Sequence, residues 1–183
     1  MDKRDIVITS RIRLARNLKD YRFPVKMGQE EAENVIREVS NAVAKADSRY
    51  KLTYMRDLSD IQKNVLIENH VISPALAERN ERAAFLLSSD KKISIMLNEE
   101  DHIRIQTIEN GMSLKKCWEL SNDTDDIIEE SLDYAFDQDL GYVTACPTNM
   151  GTGMSASVMI HLPALSVTNQ IEKLLYVVSQ LGV

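Results

Sequence analysis

Residues 6–16 read IVITSRIRLAR, and the fold turns on how that stretch alternates. Ile6, Ile8, Ile12 and Leu14 fall on one side of a period-two pattern, and Thr9, Arg11 and Arg13 on the other. That is the mark of a strand with one face toward a core and one basic face. Working outward, ERAAFLLS (81–88), KKISIMLN (91–98), HIRIQTIE (102–109) and SASVMIHL (155–162) read as further strands, and KLTYMRDL (51–58) as a short one. GQEEAENVIREVSNAVAKA (28–46) sets Ala32, Val35, Ile36, Val39 and Val43 at helical spacing, with acidic residues in its first turn to complement the helix dipole. SDIQKNVLIENH (59–70) is a helix opened by a serine cap, SLKKCWELSNDTDDIIEESLDYAF (113–136) holds one or two helices, and NQIEKLLYVVSQL (169–181) closes the chain as a helix. The class expected is α+β, with a largely antiparallel sheet flanked by helices. Periodicity alone leaves a mixed α/β sheet open.

A chain of 183 residues corresponds to about one domain, and 44% apolar content with 27% charge is that of a globular protein with a real core. A net charge of −6 argues against a general nucleic-acid or anionic-membrane surface, while leaving room for a local basic cluster that holds a small polyanion. No stretch approaches the roughly 20 apolar residues of a membrane span, so a cytoplasmic location is expected. Cys117 and Cys146 form no metal-spaced cluster with the three histidines and are expected to be reduced thiols.

Three constellations carry chemistry. Arg11 and Arg13 stand about 7 Å apart on one strand face and suit a polyphosphate; an exposed edge strand charged for solubility reads equally well. In IMLNEEDHIRIQ (95–106), Asn98, Glu100, His102 and Arg104 share a face if the strand direction persists, but Glu99 and Asp101 break the apolar face and predict a turn or bulge. A carboxylate there could serve as a general base, an orienting group or a metal ligand, or be part of an ordinary charged hairpin turn. In CPTNMGTGMSASVMIHLPAL (146–165), Gly151 and Gly153 are two of only six glycines and would let backbone amides approach an anion closely. Cys146 reads as a reactive thiolate in an electropositive pocket or as a small buried apolar residue. His161 reads as a satisfied core or interface histidine.

In order, SRIRLARN, NEEDHIRIQ and CPTNMGTG followed by HLPAL resemble the catalytic domain of the phosphagen (ATP:guanidino) kinases, and ISPALAE and SVMIHLPAL resemble the bacterial protein-arginine kinase branch. The resemblance implies the glutamine synthetase/guanido kinase type of antiparallel sheet over residues 1–183, with MgATP as phosphoryl donor and protein arginine side chains as substrate. A zinc-binding activator protein and a Clp-type protease are implied as partners, and an oligomer in which two copies complete each other's sheet is left open. Glu100 matches the carboxylate that grips the guanidinium, and Cys146 the reactive cysteine beside it. Arg11, Arg13 and Arg104 match phosphate-binding arginines, Arg82 a further nucleotide-site arginine, His70 the histidine near the adenine, and Thr9 a hydroxyl residue contacting the nucleotide. Ser155 stands where the family has an arginine directed at the phosphates. The family continues into an RGxxGE loop and, in this branch, a helical C-terminal domain, so the sheet is expected to be incomplete at its C-terminal end.

Overall fold

The computed structural model describes residues 6–180. The opening stretch forms strand β1 (Val7–Arg16), followed by helix α1 (Gln29–Ala46), strand β2 (Lys51–Tyr54), helices α2 (Asp60–Glu68) and α3 (Pro74–Glu78), strands β3 (Ala84–Leu87), β4 (Ile93–Leu97) and β5 (Ile103–Asn110), and helix α4 (Leu114–Glu129). A small hairpin of β6 (Phe136–Asp137) and β7 (Gly141–Tyr142) precedes strand β8 (Met154–Ile160) and helices α5 (Pro163–Val167) and α6 (Ile171–Gln180). Leu181, at the end of the expected closing helix, lies outside the described residues. Among those residues no helix is long and apolar enough to cross a membrane.

Six strands form one antiparallel sheet in the order β2-β3-β4-β5-β1-β8, in agreement with the α+β expectation. β1 is therefore an interior strand, flanked by β5 and β8, so its arginines are not an edge-strand device against aggregation. The parity expected for it fails at one end. Val7 is buried and Ile8 is 46% exposed, because the register against β8 slips by a bulge between Val7 and Thr9 and a bulge reverses alternation.

Element ends differ from the pattern where a tight turn intervenes. Buried Met55 opens a 3₁₀ turn over Met55–Asp57, ending β2 early; another over Asn80–Arg82 delays β3. Asn98 adopts φ 60°, a left-handed conformation that asparagine tolerates, and β4 stops before it. Residues 114–129 make one helix, while α3, α5 and the β6–β7 hairpin have no counterpart in the periodicity. His161 lies just past β8, exposed, with its backbone N–H donating to Ile6 O at 2.8 Å; of the core and interface positions expected for it, the core one is lost because the strand ends at Ile160.

The two sheet faces are covered unequally. On one, Ile12, Leu14, Ile95, Ile103 and Ile105 pack against Val35, Ile36 and Val39 of α1 and Ile128 of α4, each such side chain contributing about 1.5–3 kcal/mol relative to exposure. On the other, Phe85 and Met96 pack with Met55, Ile72 and Leu76 beneath α2 and α3. That second cluster spans β3 and β4. Over β5, β1 and β8 the same face carries the half-buried Arg11, Arg13, Arg104, Ser155 and Ser157 instead.

Candidate active site

Register assembles the basic face. Arg13 stands opposite Gln106 of β5 and Ser155 of β8, Arg11 opposite Ile108 and Ser157, and Arg104 opposite Ala15, two residues along from Arg13. Arg11 Nε donates to Ser157 Oγ at 3.1 Å. The Arg13 guanidinium is pushed below its ordinary value, first by burial and then by repulsion from Arg11 and Arg104, with Glu99 acting in the opposite sense. It keeps its charge, as guanidinium does in proteins. Crowded cations of this kind are relieved by an arriving polyanion.

The turn from β4 to β5, residues 98–102, is no ordinary charged hairpin. Asn98 Nδ2 donates to Ala32 O at 3.0 Å and to Arg82 O at 2.9 Å. Glu99, 2% exposed, accepts from the Ser73 hydroxyl and pairs with Arg104 Nη1 at 2.6 Å. Asp101 is fully buried, and its Oδ1 accepts from Asn17 Nδ2 at 2.6 Å and Ala145 N at 2.7 Å. His102 Nδ1 accepts from Leu18 N at 3.0 Å, so Nε2 carries the proton and donates to Arg22 O at 2.8 Å. Four of the five residues are thus bolted to separate parts of the chain. Glu100 alone turns outward, its side chain 47% exposed and 3.3 Å from Arg104 Nη2.

The bond from Ala145 N to Asp101 places the neighbour of Cys146 on the neighbour of Glu100. Asn17 reinforces that junction: its Oδ1 accepts from His102 N at 2.9 Å, and its Nδ2 also donates to Val143 O at 3.0 Å. Cys146 is half-buried, with Sγ 3.0 Å from Thr148 Oγ1, and its carbonyl accepts from Thr144 Oγ1 at 2.8 Å and Asn149 N at 3.0 Å. Pro147 starts a 3₁₀ turn, Pro147–Asn149, that swings the chain back toward the sheet. Gly153 then adopts φ +61°, with Arg16 Nη1 2.5 Å and Ala15 O 2.6 Å from where a Cβ would sit, so only glycine lets the loop lie this close to β1. Arg16 clamps it from below, donating to Thr152 O at 3.0 Å and to Asp125 Oδ2 at 2.7 Å.

Two hollows result. One, of about 90 Å³, is lined by Arg13, Arg104, Asn149, Gly153 and Ser155. The other, of about 220 Å³, lies farther along the strands between Thr9, Arg11, His70, Ser157 and Met159. His70 sits at φ 57° after α2, its carbonyl held by Gln106 Nε2 at 2.6 Å. Thus Arg104, Arg13, Ser155, Arg11, His70 and Thr9 line the two hollows, with Glu100 paired to Arg104 at one end and the Cys146 loop joined to the Glu100 turn through Ala145 and Asp101. Arg82 does not join them: it lines neither hollow, and its Nη1 donates to Met27 O at 2.9 Å. Sequence reasoning passed over Asn17, Asp101 and Arg16. For Arg16 the signal was available, since it shares the parity of Ile12 and Leu14 and so had to enter the apolar face. Among the described residues no group of three or more His, Cys, Asp or Glu could hold a metal ion.

A sequence model of the ATP:guanido phosphotransferase C-terminal catalytic domain matches residues 31–183. The chain belongs to the ATP:guanido phosphotransferase family. Among curated members it is 49% identical over 183 residues to a protein-arginine kinase of Desulforamulus reducens, covering 97% of this chain and 51% of that protein. It is 50% identical over 182 residues to one of a Geobacillus species, covering 97% and 50%. The crystal structure of lombricine kinase superposes with a TM-score of 0.78 at 26% identity, over 94% of this chain and 52% of that one. The chain spans about half the length of the curated relatives it matches. Within this guanido phosphotransferase domain the anchored turn and the cysteine loop meet at one end of the arginine face.

Proposed function

We propose that this chain carries the catalytic site of a protein-arginine kinase, moving the γ-phosphoryl group of MgATP to the guanidinium of arginine side chains in proteins. The observation that supports it most is the junction of the Glu100 turn with the Cys146 loop at the end of a row of arginines. Guanidinium is always protonated and a poor nucleophile. Glu100, the one carboxylate of its turn that is exposed and held only by Arg104, is suited to orient it and accept its proton, and a Cys146 thiolate to hold it from the other side. Arg11, Arg13 and Arg104 would neutralise the phosphates, a task that is most of what phosphoryl transfer asks of a protein. Thr9 and His70 would face the rest of the nucleotide, and Arg82 would need to swing off Met27 to reach it. With Glu99 and Asp101 buried in their turn and no group of three or more His, Cys, Asp or Glu among the described residues, the residues offer no cage for Mg²⁺. They fit an ion that arrives on the phosphates, where it would add charge neutralisation.

Incubation with γ-labelled ATP, Mg²⁺ and a basic protein should give acid-labile phosphoarginine, lost in Cys146→Ala and Glu100→Gln. ATP binding without any phosphoarginine would overturn the reading. Ser155 favours a second one, a nucleotide- or arginine-binding module with impaired transfer; it predicts binding with little turnover, restored in Ser155→Arg. A small-molecule guanidino kinase, which would turn over free arginine or creatine, is not favoured by relatives that are protein-arginine kinases. On the leading reading the chain works in the cytoplasm, and the zinc-binding activator and Clp-type protease are partners to be sought by co-purification.

A further inference from the structure

Away from the active-site half of this sheet face, α2 stops short of the sheet's other edge. Its Leu66 and Ile67 pack inward on the second core cluster, while Ile61 and Val65, one turn apart, are 76% and 49% exposed. Between that outer side of α2 and the edge strands runs a groove of about 630 Å³, floored by Thr53, Phe85 and Leu87. Every charged side chain lining it is a cation, namely Arg49, Lys51 and Lys91, in a chain whose net charge is −6. Arg49 is held by Asp47 at 2.8 Å. Lys51 and Lys91 enter none of the ion pairs found among the described residues. Lys51 stands opposite Leu87, the last residue of β3, and Lys91 lies in the turn that follows, so both mark the same end of the groove.

We propose that this groove docks an amphipathic helix of a partner protein, laid beside α2, with carboxylates of that helix meeting Lys51 and Lys91. The shape favours a helix. One wall is a helix side presenting an i, i+4 ridge, and the floor is a sheet face, so a second helix completes the layer by ridge-into-groove packing and sheet cover. Such a partner presents apolar residues at i, i+3, i+4 and i+7. Its acidic flank follows from the one-signed rim, which selects partners by charge and repels basic helices.

Two fluorescein-labelled peptides of about 18 residues, five helical turns, with one leucine stripe and flanks of either glutamate or lysine, test this against the full chain by anisotropy. The glutamate peptide should bind saturably, at least about tenfold tighter than the lysine peptide. Ile61→Glu and Val65→Glu, both at exposed positions, should abolish that binding while leaving the melting temperature unchanged. Lys51→Glu combined with Lys91→Glu should reverse the preference between peptides. The proposal is overturned if the glutamate peptide fails to bind, if both peptides bind alike, or if Ile61→Glu leaves binding intact. It is equally overturned if the chain dimerises through this face, seen as a concentration-dependent mass that Ile61→Glu abolishes.

Discussion

Replacing Arg16 by methionine should unfold this domain more readily than any surface change. Arg16 is 3% exposed and Asp125 5%. The guanidinium donates twice to Asp125 Oδ2, at 3.0 and 2.7 Å, and from Nη1 to Ala15 O at 2.9 Å and Thr152 O at 3.0 Å. Its Cζ lies 3.6 Å from the centre of the Tyr142 ring. Methionine fills the volume but leaves Asp125 with the Tyr134 hydroxyl, at 2.9 Å, as its remaining side-chain partner. Breaking a buried pair from one side costs about 3–5 kcal/mol. For a chain of this length, about 2–4 °C per kcal/mol turns that into a fall of roughly 6–20 °C in Tm. The double variant Arg16→Met with Asp125→Leu removes the stranded charge and should recover most of the loss, since buried pairs replaced by apolar residues are often near neutral. Urea and thermal unfolding of wild type, both single variants and the double variant measure this directly. A single-variant cost below about 1 kcal/mol, the range of an exposed pair, would refute the reasoning, as would a double variant that loses the sum of the singles.

Gly151→Ala at φ +102°, with no atom within 4 Å of the new Cβ, should cost only backbone strain of about 1–3 kcal/mol. Gly153→Ala adds contacts at 2.5 and 2.6 Å to Arg16 and Ala15 and should cost clearly more in the same denaturation assay; equal costs would mean that the loop moves away freely. Glu100→Gln, at an exposed side chain, should leave stability within about 0.5 kcal/mol while phosphoarginine formation falls about 10²–10⁴-fold. Glu99→Gln, stripping the buried partner of Arg104, should instead destabilise the fold by more than about 1 kcal/mol. Burial holds His102 below its ordinary value of 6.5, so between the folded and unfolded values the unfolded chain binds more protons. The stability this gives is present above about 6.5 and is lost as pH falls from there toward the folded value. The urea midpoint should decline as pH falls below about 6.5 in the wild type, and less in His102→Gln; parallel profiles would remove His102 as the cause.

Alternation made β1, β5 and β8 legible, and with them the shared side of Arg11 and Arg13, because parity fixes side-chain direction within an unbroken strand; that Ser155 and Ser157 stand opposite those arginines follows from the β1–β8 register, which no single strand contains. The bulge at Val7 and Thr9 hid Ile8's exposure, since nothing in an apolar run announces a slipped register. The turn at 98–102 was legible as a turn but not as an anchor. Its partners, Ala32, Ser73, Asn17, Leu18 and Ala145, come from distant segments, and burial of Glu99 and Asp101 follows from contacts that no local window contains. For Glu100 and Cys146 the sequence supplied residue types, and the fold joins the segments that carry them through the bond from Ala145 N to Asp101. Helices α3 and α5 are each five residues long, too short for helical periodicity to register.

Ser155 alters this cleft in a direction that physics fixes. It faces Arg13 across the β1–β8 ladder, and Arg13 already feels burial, Arg11 and Arg104. A guanidinium at position 155, as the family resemblance places there, would face that of Arg13 directly across the ladder, within roughly 7 Å. At an effective dielectric near 20 the repulsion is about 2 kcal/mol in the free protein. With a polyphosphate between them the same two charges are both attracted inward, and the repulsion gives way to binding energy that grows as charge develops on the transferring group. On the proposed reading, serine would therefore relax the free fold and weaken the grip on the reacting phosphate together, because both effects arise from one charge at one position. Two of the three arginines that remain are braced, Arg104 by the buried carboxylate of Glu99 and Arg11 by the Ser157 hydroxyl. On the proposed reading the face would divide two functions, phosphate binding resting on the row of arginines and the rate of transfer on the position where serine stands.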